Sequence, residues 1–451
     1  MPELERRLTL FDLTMIVVGS SIGSGIFVTP AAIARELPSP YAMLLVWAAG
    51  GVMTLCGALT FAELGAMLPR AGGVYVFLGE AYGRLFGFLY GWAYFLVVTT
   101  GALAALSLAF ATYVGWFFPL GPWGTKVVAV CGLAAVTAIN VFGVKVGAIF
   151  SDVFTLLKLL GIVALIVVGI AFGSSSATDF AAPMTAPPAK AFAAAMVGVL
   201  WSYGGWQYAT FAAGEAKRPK RDVGIALVFG ATLVGVVYVT TNVAYLRLMS
   251  PATMATTPQL ASVAVSSILG RTGGALIALA IIVSTLGTVG IYVMTAPRIY
   301  FAMAAEGLFF EQAARIHPRY RTPARAIVMQ SVWAVVLILF WGTFENLISY
   351  VVFTDFLFLM LAAASVFVFR WRRPGAERPY RTVGYPVTPL VFIAICAWFL
   401  ADTLRERPRE ALAGLGFLAL GIPVFLYWSR ANRASRALAR RIPATRDDGD
   451  R

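Results

Sequence analysis

Long stretches without charged residues constrain the fold of this chain more than any other feature. A helix needs about 20 mainly apolar residues to cross a bilayer, whereas membrane-spanning strands would be alternating segments of about ten residues. Eleven such stretches carry no charge, and a twelfth is interrupted only by Asp355. A further uncharged stretch, 248–270, is rich in Ser and Thr and is interpreted as an outside loop. The pattern predicts an all-α integral membrane protein with twelve transmembrane helices. They are 13–34, 37–62, 85–125, 127–144, 159–178, 191–214, 223–246, 272–297, 326–344, 346–369, 382–401 and 411–429. The fifth begins at residue 153 if Lys158 is allowed inside it.

Composition argues against the main soluble classes. The chain is 60% hydrophobic and 12% charged, whereas soluble domains contain about 25% charged residues. The net charge of +14 is therefore attributed to membrane topology and not to a nucleic-acid partner. The three cysteines lie in apolar runs without C-x-x-C spacing, and there is one histidine. We expect no metal site, no cofactor, and three cysteines that are small core residues.

Lysine and arginine predict the orientation, because cytoplasmic loops carry an excess of them. With the N-terminus in the cytoplasm, about three times as many of these residues fall inside as outside. The loop after the eleventh helix fits least well, since it places Arg405, Arg407 and Arg409 outside. We therefore expect both termini to be cytoplasmic and the helices to contact membrane lipid.

Two predicted helices are interrupted near their middle by small residues. The first carries Gly19–Phe27, which begins with three glycines and three serines in seven positions, and the sixth carries Trp201–Tyr208 with a glycine pair. Glycine inside a helix costs about 1 kcal/mol relative to alanine, although small residues also serve close helix packing. Non-helical backbone at membrane depth persists only where it is buried in protein or lines a cavity. Two interrupted segments at corresponding positions of two halves indicate a transporter site.

The chemistry of such breaks suits an amino acid. A broken helix offers free N–H groups that attract a carboxylate and free C=O groups that attract an ammonium. We expect Trp201 to cover the substrate as a gate. Neither break contains an acidic side chain, which favours neutral substrates, but helices 3, 8 and 10 could still supply an acid. The predicted substrate-binding residues are Ser21, Ile22, Gly23, Ser24, Gly25, Trp201, Ser202, Tyr203, Gly204, Gly205 and Gln207.

These motifs resemble those of the amino acid/polyamine/organocation transporters. Gly19–Phe27 resembles their first-helix motif, Leu68–Tyr75 resembles their loop into the third helix, and Trp201–Tyr208 is similar to the L-amino-acid transporter branch, a match that continues to Arg378–Arg381. The resemblance implies a LeuT-type five-plus-five inverted repeat and amino acid transport by alternating access. It divides the chain into an N-terminal segment with the first repeat (1–173), a second repeat (174–371), helices 11 and 12 (372–429) and a cytoplasmic tail (430–451).

Two ionisable residues lie deep in predicted helices and are candidates for coupling and gating. The resemblance implies that Lys158 in helix 5 substitutes for a sodium ion and links helix 1 to helix 5; the alternative is that it snorkels to the cytoplasmic surface. Asp355 in helix 10 either faces a polar path near the substrate or hydrogen-bonds neighbouring helices. Glu63 and Glu215, near helix ends, are interpreted as partners in salt bridges.

The sequence thus predicts an amino acid transporter of the plasma membrane that works by sodium-independent exchange or uniport. Proton-coupled symport of amino acids or polyamines is the alternative within the same fold. An intramembrane enzyme would need paired catalytic groups at depth, and a channel would need repeated filter residues, so neither is favoured. In animal relatives a cysteine outside the membrane joins a heavy subunit. Because the stretch 116–126 has no cysteine, we expect no disulfide-linked heavy subunit.

Overall fold

The computed structural model describes residues 4–173, 187–257, 259–340, 344–406 and 408–441. Apart from loops and one isolated β-bridge between Leu8 and Ala216, this part of the chain is helical. A π-helical segment, Tyr94–Val98, joins α5 to α6. The α-helices are α1 (Leu10–Ser21), α2 (Gly25–Glu36), α3 (Pro40–Met67), α4 (Val74–Tyr82), α5 (Arg84–Ala93), α6 (Thr99–Val114), α7 (Pro122–Val141), α8 (Val144–Phe172), α9 (Ala189–Tyr203), α10 (Tyr208–Phe211), α11 (Pro219–Leu248), α12 (Pro251–Ala255), α13 (Leu260–Thr295), α14 (Pro297–Ala305), α15 (Ala324–Phe340), α16 (Phe344–Arg372), α17 (Val387–Glu406) and α18 (Pro408–Arg441).

Ten helical segments of the described chain are long and apolar enough to cross a membrane. Two further apolar helices, α9 and α15, are shorter. Each of the twelve apolar stretches overlaps one of these segments. The predicted all-α membrane class is therefore confirmed for the described residues.

Several helix boundaries differ from the prediction. Helix α8 begins at Val144, before both predicted starts at residues 159 and 153, because Lys145, Asp152 and Lys158 are all accommodated within the helix. The prediction of a loop at 248–270 was wrong for most of the described residues there, which form α12 and the first turns of α13, while its position outside the membrane stays a prediction. A kink at Gly270, with φ of 66°, separates those turns from the rest of α13. Helix α18 continues past residue 429 to Arg441. The predicted span ends at 174–178 and 341–344 fall partly outside the described residues, as does the tail beyond 441.

Cysteine burial is uneven. Cys396 is buried and Cys56 is half-buried, whereas Cys131 on α7 is exposed. The expectation of three core cysteines was therefore wrong for Cys131. The cause is the position of α7, which turns much of its surface, including Val127, away from the bundle.

Helix α1 lies at the centre of the bundle and positions the site. Its start is fixed by a capping box in which the Thr9 hydroxyl accepts from the Asp12 N–H and the Asp12 carboxylate accepts from the Thr9 N–H at 2.6 Å. The helix packs against α8, α11 and α13, and from Asp12 to Ser21 every residue is buried. Because α1 is apolar around most of its circumference, it is stable only as an interior helix.

Candidate functional site

The first predicted break is present. Helix α1 ends at Ser21 and α2 begins at Gly25, so residues 22–24 are not helical. The backbone N–H groups of Ser24, Gly25 and Ile26 donate no hydrogen bond to any described residue. The hydroxyl groups of Ser21 and Ser24 are also buried without a partner in this part of the chain. The break therefore presents a cluster of polar groups inside the protein that can receive a carboxylate.

Lys158 closes the opposite side of the first break. Its Nζ donates to the carbonyl oxygens of Gly19 at 2.8 Å and Ile22 at 2.6 Å, and to the Thr288 hydroxyl at 2.8 Å. The side chain is 1% exposed, so the snorkelling alternative was wrong. All three ammonium hydrogens have acceptors, and two of these acceptors are carbonyls at the negative end of α1. Lys158 thus links α8 to the break in the first helix.

The second predicted break is also present. Helix α9 ends at Tyr203 and α10 begins at Tyr208. Gly205 has φ of 104°, a conformation that side chains rarely adopt, and a Cβ atom there would lie 2.6 Å from the carbonyl oxygen of Ser20. The Ser20 hydroxyl donates to the Gly205 carbonyl at 2.8 Å. The two breaks are therefore in direct contact.

A tyrosine that sequence reasoning missed joins the two breaks. The Tyr238 hydroxyl on α11 lies 2.7 Å from the Ser21 carbonyl oxygen and 2.8 Å from the Ser202 carbonyl oxygen. One hydroxyl hydrogen is thus shared between the ends of the two half-helices. The only sequence signal is a tyrosine within an apolar helix, which gives no partner. Thr288 was missed for the same reason, because its contact with α1 comes from a distant helix.

A small cavity of about 20 Å³ lies beside the second break. Of the predicted site residues, Trp201, Gly204 and Gly205 line it, together with Tyr208. Trp201 belongs to the last turn of α9, and the two glycines belong to the break. Among the described residues, the lining is Val98, Ala102, Leu200, Trp201, Gly204, Gly205, Tyr208, Tyr292, Val352, Asp355 and Phe356.

Three predicted site residues make contacts elsewhere. The Ser202 hydroxyl lies 2.8 Å from that of Thr29 on α2, and the Tyr203 hydroxyl donates to the Trp47 carbonyl at 3.0 Å. A Cβ atom at Gly25 would lie 2.7 Å from the Ser202 Cα. Ser202, Tyr203 and Gly25 thus hold helices together, while their predicted contact with substrate stays a prediction.

Gln207 and Asp355 form a buried network at the second break. The Gln207 Oε1 accepts from the Gly205 N–H at 3.1 Å, and its Nε2 donates to Asp355 Oδ2 at 3.2 Å. The Tyr94 hydroxyl donates to Asp355 Oδ1 at 2.5 Å. Asp355 therefore hydrogen-bonds neighbouring helices and also lines the small cavity, while its position on a polar path near the substrate stays a prediction. Tyr94 begins a π-helical segment, a feature often found at functional sites.

Buried ion pairs connect several helix ends. Glu215 and Arg298 are each 1% exposed and are joined at 2.8 Å. Glu63 pairs with Arg370 at 2.7 Å and with Arg378 at 3.5 Å. The salt-bridge interpretation of both glutamates is therefore confirmed.

A larger cavity of about 450 Å³ lies around α4 and shares no lining residue with either break. Glu80 at its wall accepts from Arg70 at 2.5 Å and from Arg373 at 2.8 Å, and these hydrogen bonds lower the pKa of Glu80. The Tyr75 hydroxyl donates to Glu306 at 2.7 Å. Burial, with the neighbouring carboxylate, raises the pKa of Tyr75. These contacts hold α4 against its neighbours.

The fold and the site define a multi-span membrane transporter, and comparison with known proteins gives its family. The model of the family described as "Amino acid permease" matches residues 8–404. The chain therefore belongs to the amino acid permease family, as its motifs predicted.

Curated relatives match nearly the whole chain. The Serine/threonine exchanger SteT of Bacillus subtilis is 32% identical over 94% of this chain and 97% of its own. The Large neutral amino acids transporter small subunit 2 of Homo sapiens is 30% identical over 94% of this chain and 81% of its own. The b(0,+)-type amino acid transporter 1 of Homo sapiens is 30% identical over 93% of this chain and 87% of its own. The protein is an amino acid transporter and not an enzyme.

Proposed function

We propose that the protein exchanges L-amino acids across the plasma membrane by alternating access and without sodium. The contact that supports this proposal is the one between Lys158 and the carbonyls of Gly19 and Ile22. In transporters with broken helices, unwound carbonyls and half-helix C-termini attract cations. Here a lysine of the chain itself supplies the positive charge, so no sodium ion is needed there.

Free backbone groups at the first break supply the proposed contacts for the substrate. The substrate carboxylate meets the N–H groups of Ser24, Gly25 and Ile26, with the buried hydroxyls of Ser21 and Ser24 beside them. The substrate ammonium meets carbonyls near Ser21, Trp201 and Gly204. Both groups of an amino acid are thus bound mainly by backbone, which leaves side-chain selection to the cavity.

Trp201 serves as the gate in this proposal. A cavity of about 20 Å³ has room for about one water molecule, which is far less than an amino acid requires. Trp201 is only partly buried and lines this cavity. Its displacement is therefore a step of substrate entry.

The contacts of two helices support the proposed five-plus-five repeat of twelve helices. Lys158 connects α8, the proposed fifth helix, to the break in the first. Asp355 connects α16, the proposed tenth helix, to the break in the sixth through Gln207. Corresponding helices thus support corresponding breaks. Both termini are proposed to be cytoplasmic, and no disulfide-linked heavy subunit is required because the stretch 116–126 has no cysteine.

Uptake into proteoliposomes tests this function. The purified protein is reconstituted, and stereospecific uptake of labelled amino acids is measured with and without unlabelled amino acid inside, with sodium or choline outside, and with or without a pH gradient. We expect saturable uptake that requires internal amino acid and is unchanged by choline. Sodium-dependent uptake would contradict the role of Lys158, equal uptake into empty vesicles would indicate uniport, and uptake driven by the pH gradient would indicate proton symport.

A further inference from the structure

Asp355 is a buried acid in the wall of the cavity. It is 7% exposed, and both of its carboxylate oxygens accept hydrogen bonds from neutral donors, Tyr94 and Gln207. A carboxylate can accept about four hydrogen bonds. Asp355 therefore has unused acceptor capacity toward the cavity that it lines.

No cationic side chain compensates Asp355 in the described part of the chain. None of the ion pairs between described residues includes it. The ammonium of Lys158 is committed to α1 carbonyls and Thr288. The titratable groups that face Asp355 from the packed helices are neutral side chains, Tyr90, Tyr94, Tyr208, Tyr292 and Cys396. An uncompensated carboxylate at membrane depth is costly, so a positive ligand would be strongly stabilised there.

Aromatic rings form much of the remaining wall. Tyr208 and Tyr292 are stacked with ring centroids 4.2 Å apart, and Trp201 and Phe356 line the same cavity. Aromatic faces attract ammonium and guanidinium groups by cation–π interaction. A carboxylate surrounded by aromatic rings is thus the chemistry of a cation subsite.

We propose that the side-chain end of the site selects L-amino acids whose side chain ends in an ammonium or guanidinium group, with Asp355 as the selecting residue. This inference rests on the proposed function, in which the α-carboxylate is bound at the first break and the α-ammonium is bound by carbonyls of both breaks. The side chain then extends past Gly204 and Gly205 to Asp355. This proposal replaces the expectation of neutral substrates, which required that the third, eighth and tenth predicted helices supply no acid.

Gln207 connects occupancy of this subsite to the second break. Its Oε1 accepts a hydrogen bond from the Gly205 N–H, and its Nε2 donates one to Asp355. A cation that draws the Asp355 carboxylate toward the cavity therefore pulls on the hydrogen bond that supports the break. Substrate side-chain binding and the conformation of the broken helix are linked through this one side chain.

The first test compares lysine with norleucine, which has the same carbon chain without the ammonium. The proteoliposomes are loaded with a mixture of unlabelled amino acids. We expect external L-lysine and L-arginine to inhibit the uptake of labelled amino acids at least about tenfold more strongly than norleucine and leucine do. If norleucine and leucine are exchanged but lysine is not, this inference is overturned while the proposed function stands. If no amino acid is exchanged, the proposed function itself fails.

The second test uses Asp355→Asn with Asp402→Asn as the matched control, because Asp402 on α17 is not part of the cavity. We expect Asp355→Asn to lower the ratio of lysine uptake to leucine uptake at least about tenfold, and the control to keep the wild-type ratio. L-arginine should raise the thermal unfolding temperature of the wild type and of the control but not of Asp355→Asn. An unchanged lysine-to-leucine ratio, with loss only of pH dependence, would show that Asp355 binds a proton instead and would overturn the inference. The wild-type comparison of lysine with norleucine decides the matter if the variant does not fold.

Discussion

The two helix breaks are stabilised in different ways. At the first break, the carbonyls of Gly19 and Ile22 are bound by Lys158 and Thr288, which belong to α8 and α13. At the second break, the chain turns through Gly205 with local backbone hydrogen bonds. Other helices also contact the second break, but through neutral donors, the Ser20 and Tyr238 hydroxyls, and through Gln207, which donates to Asp355. The first break therefore depends on a charged donor from a distant helix, whereas the second combines local hydrogen bonds with neutral contacts to other helices.

This difference indicates which break changes its hydrogen bonds when the neighbouring helices move. A break held by side chains of other helices changes its hydrogen bonds whenever those helices move. A turn that also has local backbone hydrogen bonds keeps that part of its support as the surrounding helices shift. We therefore expect substitutions that remove support from α8 or α13 to affect transport, and substitutions in the glycine turn to affect transport and folding together.

The largest effect is expected for Gly25→Leu, which separates the two breaks. A Cβ atom at Gly25 would lie 2.7 Å from the Ser202 backbone, so the side chain must force α2 away from α9. We expect uptake to be abolished while the protein still inserts into membranes. Gly23→Ala is the matched control, because its Cβ would lie 3.4 Å from the nearest atom, and it should keep measurable uptake. Normal uptake by Gly25→Leu would remove the first break from the site.

Lys158→Ala should have the next largest effect, since it leaves the carbonyls at the end of α1 without their charged donor. Hydrogen bonds to charged groups are worth about 1.5–3 kcal/mol each, so we expect an uptake loss on the order of a hundredfold. Lys145→Ala on the same helix, where the side chain is half exposed, is the control and should transport normally. The measurement is the initial rate of uptake across a range of pH. If Lys158→Ala matched the wild type at every pH, Lys158 would have no role in transport.

Gly205→Ala is expected to lower both uptake and stability. The positive φ disfavours alanine, and its Cβ would meet the Ser20 carbonyl oxygen at 2.6 Å. We expect a loss of uptake of about tenfold together with a lower thermal unfolding temperature. Gly204→Ala provides the comparison, because Gly204 has φ of −60° and its nearest atom is 3.3 Å away. Equal behaviour of the two variants would show that the positive φ of Gly205 is not required for the turn.

The smallest effect is expected for Thr288→Val, which removes one neutral hydroxyl from the first break. A neutral hydrogen bond contributes about 0.5–1.5 kcal/mol, so uptake should fall only a few-fold. Thr285→Val is the control, because the Thr285 hydroxyl donates within its own helix, to Ile281. A Thr288→Val defect as large as that of Lys158→Ala would mean that the hydroxyl, and not the charge, supports the break.

Both breaks were predictable because glycine and serine clusters are expensive inside an apolar helix. The start of α8 was not, since Lys145 and Asp152 interrupt the apolar pattern although the helix accommodates them. Within α9, helix phase could have separated Trp201 from Ser202 and Tyr203 in advance. The partners Tyr238 and Thr288 could not be predicted, because their contacts depend on packing between helices that are distant in the sequence.

The β-bridge between Leu8 and Ala216 has a mechanical consequence. Leu8 donates to the Glu215 carbonyl at 2.9 Å and accepts from the Lys217 N–H at 2.8 Å, so the entry to α1 and the exit from α10 share one short ladder. Glu215 is in turn fixed to Arg298 on α14. We therefore expect the start of α1 and the segment after α10 to move together when the transporter changes conformation.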